Sequence, residues 1–291
     1  MKNLNQNKNL TIIIVLFKEP FELISKTLDQ IQNYKIVIVD NANDVELQKK
    51  ILSSYKIDKY LLNKENNGFS AGYNQGIKQS QTKYTLVLGP DCIIKTEDIN
   101  ILIDKFSFYK NLTIVTPTSY DNENNLSYSG GPLPEKSDKN IILNLEGDVC
   151  VDSALGACML FKTEDFEKKI IFFDENFFLY FSDDDLCRRI KNLKKSIVQV
   201  YEAKCIHQHG IIKVRNKYQK IFIREYNFTH DKFYYFYKMN EHLSIIFSFK
   251  KKLPKYLIKL VLKIIVLKFH DAVRLFSRIY AYYKFKIKYS K

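Results

Sequence analysis

Leu10-Thr11-Ile12-Ile13-Ile14-Val15-Leu16-Phe17 is followed by an amphipathic stretch from Pro20 to Ile31, and then by Lys35-Ile36-Val37-Ile38-Val39, with Asp40 directly after it. Short apolar runs rich in β-branched residues read as buried strands, and the spacing between them reads as a helix. The same alternation continues outward. Tyr60 to Leu62, Tyr84 to Leu88 and Thr113 to Thr116 carry the strand pattern, while Val45 to Ser54, Ser70 to Gln79 and Glu97 to Phe106 carry the helical one. This order predicts an α/β fold, a mostly parallel sheet with helices on both faces. Ligands of such sheets bind beyond the carboxyl ends of the strands. Asp40, the turn Asn66-Asn67-Gly68 and Asp91 fall at those ends.

Further along, Thr118 to Ile141 is rich in Asn, Ser, Gly and Pro and reads as a substrate flap. Ala154 to Phe161 reads as a buried strand and Ile197 to Val200 as another. Between them, Ser182 is expected to cap a helix reaching about Leu193. The 46% hydrophobic and 27% charged composition supports a buried core and excludes a disordered chain. Five scattered Cys read as reduced thiols of a cytosolic protein rather than a disulfide framework. The apolar run at Thr11 to Phe17 meets Lys18 and Glu19 with no cleavage site, so it reads as a strand, not a signal peptide. No apolar stretch has the length of a membrane span.

Charge divides the chain unevenly. Residues 232–291 hold 13 Lys and two Arg against Glu241 and Asp271, which accounts for nearly all of the formal +14. The expected organisation is therefore a near-neutral body, 1–231, and a basic helical extension, 232–291. On a helix starting near Pro254, Lys255, Lys259, Lys263 and Arg274 share one sector, and Leu257, Ile258, Val261 and Leu262 lie among the residues of the apolar remainder. A basic amphipathic helix of this kind suits an anionic membrane surface. Packing on the body or on a second subunit is the competing reading. Nucleic acid is disfavoured because no nucleic-acid module accompanies the charge.

Each candidate also has a plain structural role. Asp40 could accept hydrogen bonds from a base or ribose, or close an Asx turn. Asn67-Gly68 matches no glycine-rich nucleotide fingerprint and could simply be a turn before a helix. Asp91, stiffened by Pro90, is placed as a hard-cation ligand or as a turn residue. Asp183, Asp184 and Asp185 could complement a helix dipole. Their mutual repulsion and the preceding Phe177-Phe178-Leu179-Tyr180-Phe181 would instead raise one pKa, as a general base requires. His207 and His209 could ligate a metal or merely pack.

The order of these segments, over about residues 10–212, resembles the inverting family 2 glycosyltransferases with the GT-A (nucleotide-diphospho-sugar transferase) fold, especially the rhamnosyltransferase-like branch. The matching stretches are Thr11 to Val15, Val39-Asp40-Asn41, Glu65 to Phe69 with Asn74 and Gly76, Leu88 to Asp91, Leu155 to Leu160, Phe173-Asp174-Glu175, Phe178 to Arg189, and His207. Gly89 stands where the family usually has Asn, and Ser182 where it has Glu.

The resemblance implies that Val15, Phe17, Asp40, Asn67, Gly68 and Asp91 bind the nucleotide, that Asp91 and His207 hold Mn2+ or Mg2+, and that Asp183 is the base. Asp184 could share that role. Gly156, Ala157, Asp184 and Asp185 would face the acceptor and sugar. It further implies a UDP- or dTDP-sugar donor, rhamnose or another hexose, and a saccharide or lipid-linked acceptor. The setting would be bacterial polysaccharide or lipooligosaccharide assembly on the inner face of the cell membrane. The alternative is a catalytically silent protein of the same fold serving as a membrane-bound assembly partner.

Overall fold

The computed structural model describes residues 9–136, 145–208, 216–240 and 242–289. The chain separates into two compact units, 1–175 with 182–213, and 176–181 with 214–291.

In the first unit, strand β1 (Leu10–Leu16) leads through α1 (Phe21–Ile31) to β2 (Lys35–Asp40), then α2 (Val45–Ser54), β3 (Lys59–Leu62), α3 (Gly68–Ile77) and β4 (Tyr84–Leu88). A short β5 (Cys92–Ile94) precedes α4 (Thr96–Phe108), β6 (Leu112–Tyr120), β7 (Gly130–Gly131), β8 (Val149–Cys150), β9 (Ser153–Ala154) and β10 (Cys158–Lys162). The unit closes with α5 (Thr163–Glu167), α6 (Ser182–Asn192) and β11 (Ser196–His207). The large sheet runs β3-β2-β1-β4-β10-β6-β11-β5, with β8 added on β11. Its β3-β2-β1-β4 half is parallel, as the alternation predicts, while β10 enters antiparallel between β4 and β6. Two apolar layers cover the sheet. Ile12, Ile14, Ile36 and Ile38 feed one, and Ile13, Val37, Val87 and Met159 feed the other, as the two-residue period of a strand dictates.

Three expectations change here. The strand read at Ala154 to Phe161 is two strands, β9 and β10, parted by a turn at Leu155 to Ala157. The flap at Thr118 to Ile141 is tied into sheets at both ends of its described part: Thr118 to Tyr120 belong to β6, and Gly130 pairs with Ala154. Its residues 137–141 lie outside the described residues. Ser182 is the first residue of α6 rather than a cap, and its hydroxyl oxygen is buried without a hydrogen-bond partner.

The second unit is helical: α7 (Lys217–Lys238), α8 (His242–Ile265) and α9 (Phe269–Tyr289). The boundary expected at residue 231 falls inside α7. The basic helix does not begin at Pro254, which sits within α8. Nor does it continue to Arg274. Leu267 has φ 56°, and Lys268 N–H bonds back to the Lys263 carbonyl at 2.8 Å, a Schellman-type stop that ends α8. Arg274 therefore lies on α9, where with Arg278 it faces Glu225 of α7, at 3.4 and 2.7 Å. Phe177, Phe233, Tyr235, Tyr282 and Phe285 form this unit's core. The aromatic run before Ser182 serves that core, with Asp231 accepting from the Leu179 and Tyr180 N–H groups.

Candidate active site

The parallel strands end where the sequence places its candidates, and contacts across the sheet join them. After β4, Gly89 N–H donates to the Ala157 carbonyl at 2.7 Å, and Cys92 N–H closes back on the Gly89 carbonyl at 3.0 Å. This tight turn projects Asp91. β5 then pairs antiparallel with β11 in a register that sets His207 opposite Cys92. His207 Nε2 lies 3.4 Å from Asp91 Oδ2. Burial alone would lower the imidazole pKa, but the bond to Asp91 and that carboxylate's charge outweigh it and hold His207 above its ordinary range. His209 lies outside the described residues.

Ala157 is also the link to the second carboxylate group. Gly156 N–H donates to Asp183 Oδ2 at 2.9 Å, and Asp183 Oδ1 accepts from the Asp184 N–H at 3.0 Å. Only glycine fits at 156. A Cβ there would stand 2.8 Å from the Phe69 ring and 3.3 Å from Asp183 Oδ2. Phe69 is itself wedged edge-on against Tyr73 and Phe173. Asp184 accepts from Ser153 Oγ at 2.6 Å. Burial and the adjacent Asp183 charge push the Asp184 carboxyl up to about 8. Burial raises Asp183 too, but the Gly156, Asp184 and its own backbone N–H groups oppose the rise. Those amides favour the charged form, so Asp183 is the member of the pair that ionises first and Asp184 keeps the proton.

Asp185, the third of the run, is expected beside the sugar. It is 2% exposed and its carboxylate accepts from Arg189 Nε at 2.9 Å, a contact that braces α6.

At the other edge, Asp40 is fully buried and realises the turn-closing alternative. Its Oδ1 accepts from Ala42 N–H at 2.7 Å, and its Oδ2 from Asp44 N–H and the Tyr60 hydroxyl. These bonds make it shape the loop at the end of β2. Asn41 carries that shape onward, donating to the Gly68 carbonyl at 3.0 Å. Gly68 opens α3 with φ 82° and its N–H bonds to Asn66 Oδ1, while Asn67 is exposed beside it. Val15 and Phe17, at the end of β1, are half-buried.

Glu19 was not among the expected residues. Burial pushes its carboxyl up to about 7, and the charges of Asp91 and Asp40 add to the rise. It lies three residues beyond β1, so the strand-end rule that singled out Asp40 and Asp91 could have found it. Ser153 and Cys92 have no such signal in the sequence.

A divalent cation suits this arrangement. Ligand atoms of Asp91, Cys92 and His207 lie within 4.8 Å of one another. Gly89 leaves the space beside them clear, since a Cβ there would stand 2.9 Å from Asp91 Oδ1. The charge of Asp91 raises the Glu19 carboxyl, and positive charge beside them would relieve that repulsion.

Comparison with known proteins agrees with this geometry. Residues 11–168 match the model of glycosyl transferase family 2. The low-salt glycan biosynthesis hexosyltransferase Agl10 of Haloferax volcanii is 29% identical over 221 residues, covering 71% of this chain and 69% of the relative. The rhamnosyltransferase WbbL of Escherichia coli K12 is 26% identical over 205 residues, covering 62% and 76%. Among solved structures, GalNAc-T7 with UDP, GalNAc and Mn2+ aligns with a TM-score of 0.55 at 12% identity over 78% of this chain and 51% of that one. Staphylococcus aureus TarS aligns at 0.51 and 13%, over 81% and 44%. This chain thus spans about half of each solved chain, and the likeness is one of fold, that of the GT-A glycosyltransferases.

Proposed function

The chain belongs to glycosyl transferase family 2, and on that premise we propose that it is an inverting, metal-dependent transferase. It moves rhamnose or another hexose from a UDP- or dTDP-sugar to a saccharide or lipid-linked acceptor in bacterial surface-glycan assembly. One observation carries the reading: the bonded path from Asp91 and His207 through Gly89 and Ala157 to Gly156 and Asp183, which joins a cation site to a carboxylate pair.

Asp91 and His207 would hold Mn2+ or Mg2+, whose charge would stabilise the departing diphosphate. Asn67 and Gly68, with Val15 and Phe17, would line the nucleotide, their loop shaped by Asp40. Asp183 takes the proton of the acceptor hydroxyl as that oxygen attacks the anomeric carbon from the face opposite the leaving group. The Gly156 amide aims its carboxylate, and the protonated Asp184 keeps a second negative charge away from it. No covalent intermediate is required.

The second unit supports a membrane-surface location. Ile258, Ile265 and Leu267 are 62%, 68% and 71% exposed, and Lys255, Lys259, Lys263 and Lys268 are interleaved with them in sequence. Among the described residues no helix is long and apolar enough to cross a membrane. Exposed apolar side chains with neighbouring lysines fit the interface of an anionic bilayer.

The test is a panel of activated sugars with Mn2+, read as nucleoside diphosphate release and sugar transfer. Turnover abolished in Asp91→Ala is expected. Nucleotide binding with complete inertness across donors and acceptors would replace the enzyme with the silent assembly partner. Flotation with anionic liposomes that weakens as salt rises is expected for the second unit's role, and its absence would remove the membrane.

A further inference from the structure

The cation site contains a sulfur. Cys92 is fully buried, yet its Sγ lies 4.0 Å from Asp91 Oδ1, and within 4.8 Å of the His207 ligand atom. We propose that Cys92 is a third protein ligand of the ion held by Asp91 and His207, and that it biases this site toward thiophilic divalent ions such as Co2+, Zn2+ or Cd2+ over Mg2+. The inference rests on the reading that Asp91 and His207 bind a divalent ion.

Ligand spacing supports it. With metal–oxygen and metal–nitrogen bonds of about 2.1 Å and metal–sulfur bonds of about 2.3 Å, neighbouring donors of a tetrahedral site stand roughly 3.4 to 3.7 Å apart. The 3.4 Å between His207 Nε2 and Asp91 Oδ2 matches, Cys92 Sγ lies 4.0 Å from the other carboxylate oxygen, Oδ1, and the three donors stay within 4.8 Å of one another. Backbone geometry holds the three donors together, since Asp91 and Cys92 are consecutive and His207 is paired with Cys92 across the β5–β11 ladder. Gly89 borders both donors. A Cβ on Gly89 would sit 3.1 Å from Cys92 Sγ as well as 2.9 Å from Asp91 Oδ1, so any side chain there would fill the position between them.

Chemistry sets the preference. A hard ion such as Mg2+ takes oxygen donors and gains little from sulfur, whereas borderline and soft ions gain most from a thiolate. On binding, the metal–sulfur bond forms as the S–H bond breaks, and the proton leaves to solvent. Cys158 and Cys205 lie in the same buried cluster as Cys92, so these two thiols supply controls that keep the same sulfur-rich surroundings.

Titration of the reduced full chain with Co2+, followed by near-ultraviolet absorption, tests the proposal without reference to turnover. The expected result is a sulfur-to-cobalt charge-transfer band that is lost in Cys92→Ser and kept in Cys158→Ser and Cys205→Ser. Co2+ affinity in Cys92→Ser should fall at least about tenfold, while Mn2+ affinity changes less. Co2+ bound by the wild type without the band overturns the sulfur ligand and leaves the Asp91–His207 site standing. A band that survives in Cys92→Ser and disappears in Cys205→Ser overturns it also. Failure to bind any divalent ion would remove the metal-dependent reading itself. Should Cys92→Ser not fold, cobalt X-ray absorption on the wild type decides the matter, with a sulfur shell at about 2.3 Å expected and a shell of oxygen and nitrogen alone refuting.

Discussion

Asp184→Asn removes a titrating carboxyl while keeping its shape and its oxygen acceptor for Ser153 Oγ. In the unfolded chain this carboxyl titrates near 3.8, and in the cleft near 8. Below about pH 4 both states hold the proton, so the group contributes no difference between them. As pH rises through the interval, the unfolded chain releases its proton while the folded chain retains it. Stability is therefore lost progressively until the folded group ionises near pH 8. About four pH units at about 1.4 kcal/mol each give a ceiling of about 6 kcal/mol. Water reaching a half-buried carboxyl, and sharing of the proton with Asp183, bring the expected effect to about 2–3 kcal/mol. The Asn variant should match the wild type at about pH 4 and exceed it at about pH 8 by roughly 4–10 °C in thermal unfolding. Because Asp184 is still neutral while Asp183 ionises, the same substitution should leave the acid limb of the pH–rate profile in place. A melting-temperature difference that stays constant from about pH 4 to about pH 8 would refute the shared-proton assignment.

Asp183→Asn should preserve nucleotide binding, measured calorimetrically, and reduce turnover at least about a hundredfold. Gly156→Ala should slow turnover by about tenfold or more with only a modest loss of thermal stability, because the added methyl displaces Phe69 or the Asp183 carboxylate. Glu225→Gln should destabilise the helical unit by about 1–3 kcal/mol in urea unfolding, since Arg274 and Arg278 lose the charge between them. Ile258→Glu with Ile265→Glu should reduce liposome flotation while leaving turnover on a soluble acceptor unchanged, and flotation that persists would place the lipid contact elsewhere.

Much of the parallel half-sheet was legible because each strand is marked by local composition. Leu10 to Leu16, Lys35 to Asp40 and Tyr84 to Leu88 are apolar runs whose neighbours cover both faces, and Glu19, Asp40 and Asp91 stand at or just beyond their ends whatever the rest of the chain does. Cys92–Ile94 escaped notice because three residues carry too short a pattern, and the break between β9 and β10 because Leu155 to Ala157 is as apolar as its flanks. The end of α8 was hidden for a related reason: Leu267 adopts a left-handed backbone that favours glycine or asparagine.

Residue order along the chain was sufficient for an α/β domain with acidic groups at its strand ends and a basic helical extension, since those features depend on neighbours a few positions apart. Partnership across long separations came from packing. The register of β11 on β5 brings His207 to Asp91 and Cys92, and the seating of α6 turns Asp183 and Asp184 toward the Ser153–Gly156 turn while burying Asp185 against Arg189. Three successive carboxylates look alike in a sequence. They differ only once a helix must choose which face to bury, because that choice is settled by what the rest of the molecule presents to it.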